Sequence, residues 1–413
     1  MKIIILFAFF LRLILAFGPY HPDLGNHLDW GKKFWEVGPG RFYEYQFWQV
    51  SWPNQPPGTI YLFAFVHKIS EVIFNLIWWL NVAIPVFPSF LVPFIQEKLP
   101  IILVKLPSIL ADLGIAWVIY LIVKKLKDEK LAKLATVVFI FNPVTFYNSS
   151  IWGQTDAIIN FFALLGLYFL LIRKPILGMS SFIFSLYFKT SLIIFLPIFL
   201  LLVIREKYSL VKIVFAFIVP VLVIAIISLP FSAVAHYNVF KWLYSDLYLT
   251  RVFGHQGNML TANAFNFWAL LFGIDLAKTD LGKFLWFNFR QWGQLIFSPL
   301  LVFLLFFLWY CFSWRNVVFV LSLVAFSAFL FLTNMHERYL YPVFPLVTIL
   351  LVFYPKILPL FLLLSFIHLA NLYHLWGVPA LPLIVIRLFS LVNLVIFGWL
   401  LASFFRFSTS KRV

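Results

Sequence analysis

Acid–base and anion-binding side chains recur in a few short clusters between long apolar runs. The first reads His21-Pro22-Asp23-Leu24-Gly25-Asn26-His27-Leu28-Asp29-Trp30, directly after an apolar stretch. A carboxylate placed there can take a proton from a hydroxyl at a membrane surface. It suits equally a solvated loop acid or a helix N-cap. A second cluster, Ser150-Ile151-Trp152-Gly153-Gln154-Thr155-Asp156, pairs an aromatic ring that can stack on a sugar, or anchor at an interface, with Gln154 and Asp156 to bind hydroxyls. Lys189 interrupts an apolar run in Phe188-Lys189-Thr190. A lysine at mid-bilayer costs roughly 2.5–3.5 kcal/mol on insertion scales, so it needs a partner or a route to the surface, and an anionic lipid phosphate is one such partner. Arg251 opens a polar stretch that leads to Asn263-Ala264-Phe265-Asn266-Phe267-Trp268. Finally, in His336-Glu337-Arg338, Arg338 and His336 suit a phosphate with Glu337 orienting one of them, or an interfacial ion pair capping helices.

The elements that must carry these clusters are membrane helices. Hydrophobic residues make up 63% of the chain and charged ones 11%, against roughly 25% charged in a soluble domain. A water-soluble fold of 413 residues cannot hide that much apolar surface. The formal charge of +16 is spread as short Lys/Arg clusters between apolar runs, the pattern of topology signals and not of a nucleic-acid surface. The single cysteine, Cys311, excludes a disulfide framework and a thiolate metal cluster. The loop acids are too sparse for a carboxylate metal site, so neither a metal nor another cofactor is expected.

Apolar runs predict an all-α polytopic membrane protein with about 13–15 transmembrane or re-entrant helices, since only helices or closed barrels satisfy the backbone in lipid. The chain reads as one membrane-embedded unit over 1–413: helices over 1–230, a second external stretch over 231–293, and helices over 294–413. Lys2 to Phe17 reads as a retained first span, because Arg12 interrupts it and no small-x-small cleavage site follows. The large first loop, 19–57, has the pattern of interfacial amphipathic helices around Leu28, Phe34 and Trp35. Residues 58–104, broken by Pro85, Pro88 and Pro93, predict two spans, and 176–204 two short helices broken near Lys189. The piece at 262–273 reads as re-entrant.

With the N-terminus in the cytosol, the joints at Lys124–Lys127, Arg173-Lys174, Arg205–Lys207, Arg315, Lys356 and Lys411-Arg412 fall inside, as the positive-inside rule requires. The same topology sends His21, His27, His236, His255, His336 and His374, with most carboxylates that lack lysine neighbours, to the external face.

In register along nearly the whole chain, these pieces resemble the GT-C superfamily of polyprenyl-phosphate-sugar-dependent glycosyltransferases. The likeness is greatest to the dolichyl-phosphate-glucose-dependent glucosyltransferases of N-glycan precursor assembly and their prokaryotic relatives. Asp23 with Trp30, Pro56-Pro57-Gly58-Thr59, Phe188-Lys189 with Pro197, Arg251 with the Asn263–Trp268 run, and His336-Glu337-Arg338 look like that family's motifs. The Trp-Gly-Gln-Thr-Asp joint instead looks like a prokaryotic branch and the second mannosyltransferase of GPI-anchor assembly. Asp29 stands where the eukaryotic enzymes carry His, and Asn54-Gln55 where they carry an aromatic residue.

The resemblance implies an enzyme: a hexosyltransferase that moves glucose or mannose, with inversion, from a polyprenyl-phosphate sugar to a hydroxyl of a lipid-linked glycan, glycolipid or protein. Asp23, or Asp29, would be the base. Arg338, His336, Arg251 and Lys189 would hold the donor phosphate. Trp30, Asp29, His27, Trp152, Gln154, Asp156, Asn263, Asn266, Trp268 and Glu337 would contact sugar or acceptor. The setting would be a multi-pass protein of a prokaryotic plasma membrane, or of the endoplasmic reticulum, with its site on the external face. Two other classes fit the residues: a lipid or glycan transporter or flippase, for which Lys189 and Asp112 are the intramembrane charges, and a non-catalytic membrane subunit, in which Asp23 tolerates loss.

Overall fold

In the computed structural model, residues 2–18, 21–233, 238–254 and 257–409 are described. His236 and His255 lie outside them. The chain is helical nearly throughout. In order come α1 (Lys2–Ala16), α2 (Asp23–Val37), α3 (Pro39–Phe42), α4 (Pro57–Ala83), α5 (Leu91–Leu126), α6 (Glu129–Ile140) and α7 (Pro143–Phe146), the last running into a π-helical turn, Tyr147–Trp152. Next are α8 (Asp156–Leu171), α9 (Pro175–Phe188), a 3₁₀ turn Thr190–Phe195, α10 (Leu196–Arg205), α11 (Leu210–Ser232) and α12 (Val239–Lys241), followed by the π-helical Trp242–Phe253. After α13 (Phe267–Phe272), a hairpin of β1 (Lys283–Phe284) and β2 (Phe287–Asn288) leads into α14 (Phe289–Tyr310). The chain ends with α15 (Trp314–Phe331), α16 (Val343–Leu351), α17 (Leu358–Trp376) and α18 (Leu383–Thr409).

Seven of these helices are long and apolar enough to cross a membrane, or eight with the pair α6 and Pro143–Trp152, which is bent by 48°. Shorter apolar helices at Asp156–Leu171, Pro175–Phe188 and Thr190–Arg205 complete the bundle. The chain is thus an all-α, multi-pass integral membrane protein. Its helix ends follow local rules: Asp128 caps α6, Asn142 caps α7 ahead of Pro143, and Asn266 accepts from the Trp268 and Ala269 amides to start α13. The break expected near Lys189 is there, where Lys189 takes an extended backbone between α9 and the 3₁₀ turn. Of 262–273, expected to be re-entrant, Phe267–Phe272 form the six-residue α13.

The region 58–104 departs from expectation. Its second half is continuous with the next run, forming the single 36-residue α5 across Pro100 and Pro107. The packing explains how this keeps the topology. Lys105 Nζ donates to the Ala16 carbonyl at 3.1 Å and Asp112 meets Arg12, so 105–126 runs antiparallel to α1. The lysines at 124–127 therefore lie toward the start of α1. Residues before 105 instead pack on α4, through Phe63, Val66 and Val104.

The α2 helix is amphipathic as expected: Leu24, His27, Trp30, Gly31 and Phe34 are buried at helical spacing. Two prolines and a glycine set the start of α4 close to α9, and Thr59 Oγ1 donates to the Phe188 carbonyl at 2.6 Å. α15 is the most enclosed span, buried at every residue from Asn316 to Leu330. α11 and α14 lie at the periphery, with most of their length exposed.

Candidate functional site

A buried ionic brace sets the geometry beneath the site. Arg12 and Asp112, both fully buried, approach to 3.4 Å. Arg12 Nη2 donates to the Ile140 carbonyl at 2.8 Å and to Thr145 Oγ1 at 3.1 Å. Asp112 also accepts from Ser149 Oγ at 2.6 Å and from the Tyr341 hydroxyl. One carboxylate thus ties α1, α5, the π-helical turn and the residues before α16. Asp23, Gln154 and Arg338 lie just beyond the ends of those elements.

Above the brace is a cavity of about 470 Å³. Its polar wall includes Asp23, Asp156, Lys189, His336 and Arg338. Its apolar wall comes from Leu192 and Ile193 after α9 and from Ala325, Ala328 and Phe329 of α15. The charges are interlocked. Lys189 Nζ lies 2.9 Å from Asp156 Oδ1 and 5.0 Å from the Tyr339 ring centre. Arg338 Nη1 lies 2.6 Å from Glu337 Oε1 and 3.9 Å from Asp23 Oδ2, and its Nε is 3.8 Å from Asp156 Oδ2. Gln154 Nε2 donates to Asp23 Oδ2 at 2.7 Å.

Burial works against the Arg338 cation, yet Glu337, Tyr339, Asp156 and Asp23 together hold it more firmly protonated than usual. Burial pushes the Glu337 carboxyl up, with Arg338 opposing. Burial, with the Lys189 and Arg338 charges behind it, lowers His27 to about 3, and burial with the same two cations takes His336 well below its usual value. Both imidazoles are therefore neutral near pH 7. Among the described residues, several buried polar atoms here have no hydrogen-bond partner: His27 Nδ1 and Asn334 Oδ1, together with Asp156 Oδ2 and Arg338 Nε, which face each other at 3.8 Å, belong to residues that line the cavity, and Glu337 Oε2 to one that does not. Such atoms facing a cavity are positioned for a polar ligand or water.

Of the residues singled out from sequence, the cavity brings together Asp23, His27, Trp30, Gln154, Asp156, Lys189, His336 and Arg338. Glu337 sits behind Arg338. Others are placed elsewhere. Arg251 does not line the cavity but sits over the Tyr43 ring at 5.9 Å. Asp29 accepts from the Gln49 amide at 2.9 Å, a tie that fixes the first loop. Trp152 is fully buried behind the site, with Arg338 over its ring at 5.6 Å. The Asn263 carbonyl accepts from Asn371 Nδ2 at 2.6 Å, Asn266 caps α13, and Trp268 Nε1 donates to the Phe331 carbonyl at 2.9 Å. These three fasten α13 to α15 and α17. The sequence reading missed Asn26, Ser51, Asn54, Asn160 and Tyr339, which also line the cavity. Their residue types are common in loops and helix ends, and only the fold marks them. Among the described residues, no group of three or more His, Cys, Asp and Glu side chains is placed to hold a metal ion.

Residues 51–274, more than half of the chain, match the family described as GPI transamidase subunit PIG-U. No curated protein matches the chain. The family match overturns the expectation of a hexosyltransferase: these are subunits of a transamidase, so the sugar transfer and the polyprenyl-phosphate sugar donor fall together. At the cavity, Asp23 accepts from Gln154 and pairs with Arg338. A prokaryotic plasma membrane is likewise unsupported. The motifs shared with GT-C enzymes mark a related membrane architecture without that reaction: the chain belongs to the PIG-U family of GPI transamidase subunits.

Proposed function

We propose that this chain is a non-catalytic membrane subunit that holds the polar head group of a phosphate-bearing glycolipid and presents it to protein partners. The cavity is the observation that carries this reading: its lining combines charges of both signs with apolar side chains, as an amphiphile requires. The family's name supplies the assembly, a GPI transamidase, and with it a ligand class, since a glycosylphosphatidylinositol combines sugars, phosphate and lipid. Arg338 and Lys189 suit the phosphate. Asp156 Oδ2, which accepts no hydrogen bond within the protein, suits a hydroxyl or ammonium donor. The endoplasmic reticulum is the membrane we propose. In this role the chain needs no base, and its contribution is to position a substrate for chemistry done by another subunit.

Native mass spectrometry of the purified chain tests the reading. Wild type should retain a phosphate-bearing glycolipid that Ile193→Trp, which fills the cavity from a partly exposed position, releases. Equal, non-selective lipid retention by both proteins would overturn it.

A further inference from the structure

The β-hairpin Lys283–Asn288 lies just beyond the family-matched segment and carries a wholly apolar tip. Its tip, Phe284-Leu285-Trp286-Phe287, is entirely apolar and its side chains stand in the open: Trp286 is 83% and Leu285 67% exposed. Leu285 occupies the left-handed region at φ 57°, in a two-residue turn where glycine is the easy choice. A strained position that keeps a large apolar side chain facing outward points to a use for that side chain.

The hairpin's attachment says what it faces. Trp292 Nε1 donates to the Phe284 carbonyl at 2.8 Å, and the Phe287 ring packs on Trp292 at 5.3 Å. Phe284 stacks on Phe289, the first residue of α14. Trp292 heads a stripe at helical spacing with Leu295, Pro299, Val302 and Phe306, and Leu295, Val302 and Phe306 are exposed along it. α14 is itself long and apolar enough to span, so this stripe is its lipid-facing side. The hairpin therefore sits at the membrane end of a lipid-facing stripe, where tryptophan prefers to lie, with Lys283 exposed beside it for lipid phosphates.

We propose that this hairpin is an interfacial anchor, with Leu285 and Trp286 inserted among the lipid head groups beside α14. It fixes the depth and tilt of the loop 275–288. Through the Arg290–Asp280 ion pair at 2.8 Å and the Asp280–Thr333 hydrogen bond at 2.7 Å, it steadies the segment ahead of His336.

The test uses the full chain in phosphatidylcholine–phosphatidylglycerol vesicles. Trp286→Cys and, separately, Leu285→Cys are spin-labelled in a Cys311→Ser background, which removes the one native thiol. Both sites are exposed, so neither change disturbs packing. The proposal expects labels more accessible to oxygen than to a water-soluble nickel chelate. Free access of the chelate would overturn it by placing the tip in water. Protection from both reagents would overturn it too, by showing the tip covered by protein, a second copy included.

Discussion

Breaking the Arg12–Asp112 brace should unsettle the site without touching it. Asp112→Asn keeps one acceptor oxygen, for either Ser149 or Tyr341, and leaves the Arg12 guanidinium, fully buried, without its counter-charge. Removing one partner of a buried ion pair costs about 3–5 kcal/mol, because the remaining charge is stranded away from water. Three carbonyl and hydroxyl acceptors still surround Arg12, at Ala8, Ile140 and Thr145, which places the expected loss at about 3 kcal/mol, the lower end of that range. Arg12→Met should cost a similar amount by stranding Asp112. The double variant should cost clearly less than the sum, with a coupling of about 2 kcal/mol or more, because neither charge is then stranded. Reversible unfolding in mixed micelles of mild detergent and sodium dodecyl sulfate would measure all four proteins. Single variants within about 0.5 kcal/mol of wild type, or strictly additive losses, would refute the reasoning that this carboxylate braces four elements.

Further outcomes follow from the same geometry. A Cβ at Gly58 would lie 2.7 Å from the Tyr187 carbonyl oxygen, so Gly58→Ala must part α4 from α9 and should cost about 1–3 kcal/mol, measurable as a lower melting temperature. Lys189→Met strands Asp156 beside Arg338 and should lower head-group binding more than Lys32→Met, an exposed control, in a lipid-binding assay. His27 and His336 are neutral in the fold but titrate near 6.5 when unfolded, so the unfolded chain binds more protons below that pH. Their contribution is complete above pH 6.5 and is lost as the pH falls below it, for His27 down toward about 3, by up to about 1.4 kcal/mol per group per pH unit. His27 stacks flat on Phe63 at 4.0 Å, so His27→Phe should fit and give a shallower acid limb in unfolding measured from pH 7 to 4. Asp23→Asn should leave the fold intact and any head-group binding weakened but present, since Gln154 and Arg338 remain.

Much of the architecture was legible in the sequence because lipid imposes it. Apolar runs, proline breaks and Lys/Arg joints placed most helices, and the amphipathic spacing of Leu24, His27 and Trp30 announced α2. Continuity across Pro100 and Pro107 was not legible, because proline in a membrane helix is tolerated when neighbouring helices re-satisfy the backbone. At the site, Asp23, Gln154, Asp156 and Arg338 were picked out from short polar clusters between apolar runs, and Lys189 as a charge interrupting one. Their pairing was not. Arg338 pairs most closely with its neighbour Glu337, but the ion pairs that join Lys189 to Asp156 and Arg338 to Asp23 and Asp156 link residues more than thirty apart in sequence, and spacing carries no trace of them. The reaction was misread for a related reason. A membrane cavity that holds a phosphate-bearing lipid needs the same residue types whether the chain transforms that lipid or only presents it. Arg251 and Trp268 kept the motif pattern while serving as packing groups.

Equilibrium binding to the purified chain tests the central claim most directly. A glycosylphosphatidylinositol carrying its head group would be titrated against phosphatidylcholine, with wild type and Ile193→Trp side by side. The account predicts saturable one-site binding to wild type, at least about tenfold tighter than phosphatidylcholine, and lost in the cavity-filled variant at unchanged melting temperature. Equal, unsaturable uptake of both lipids by both proteins would contradict it.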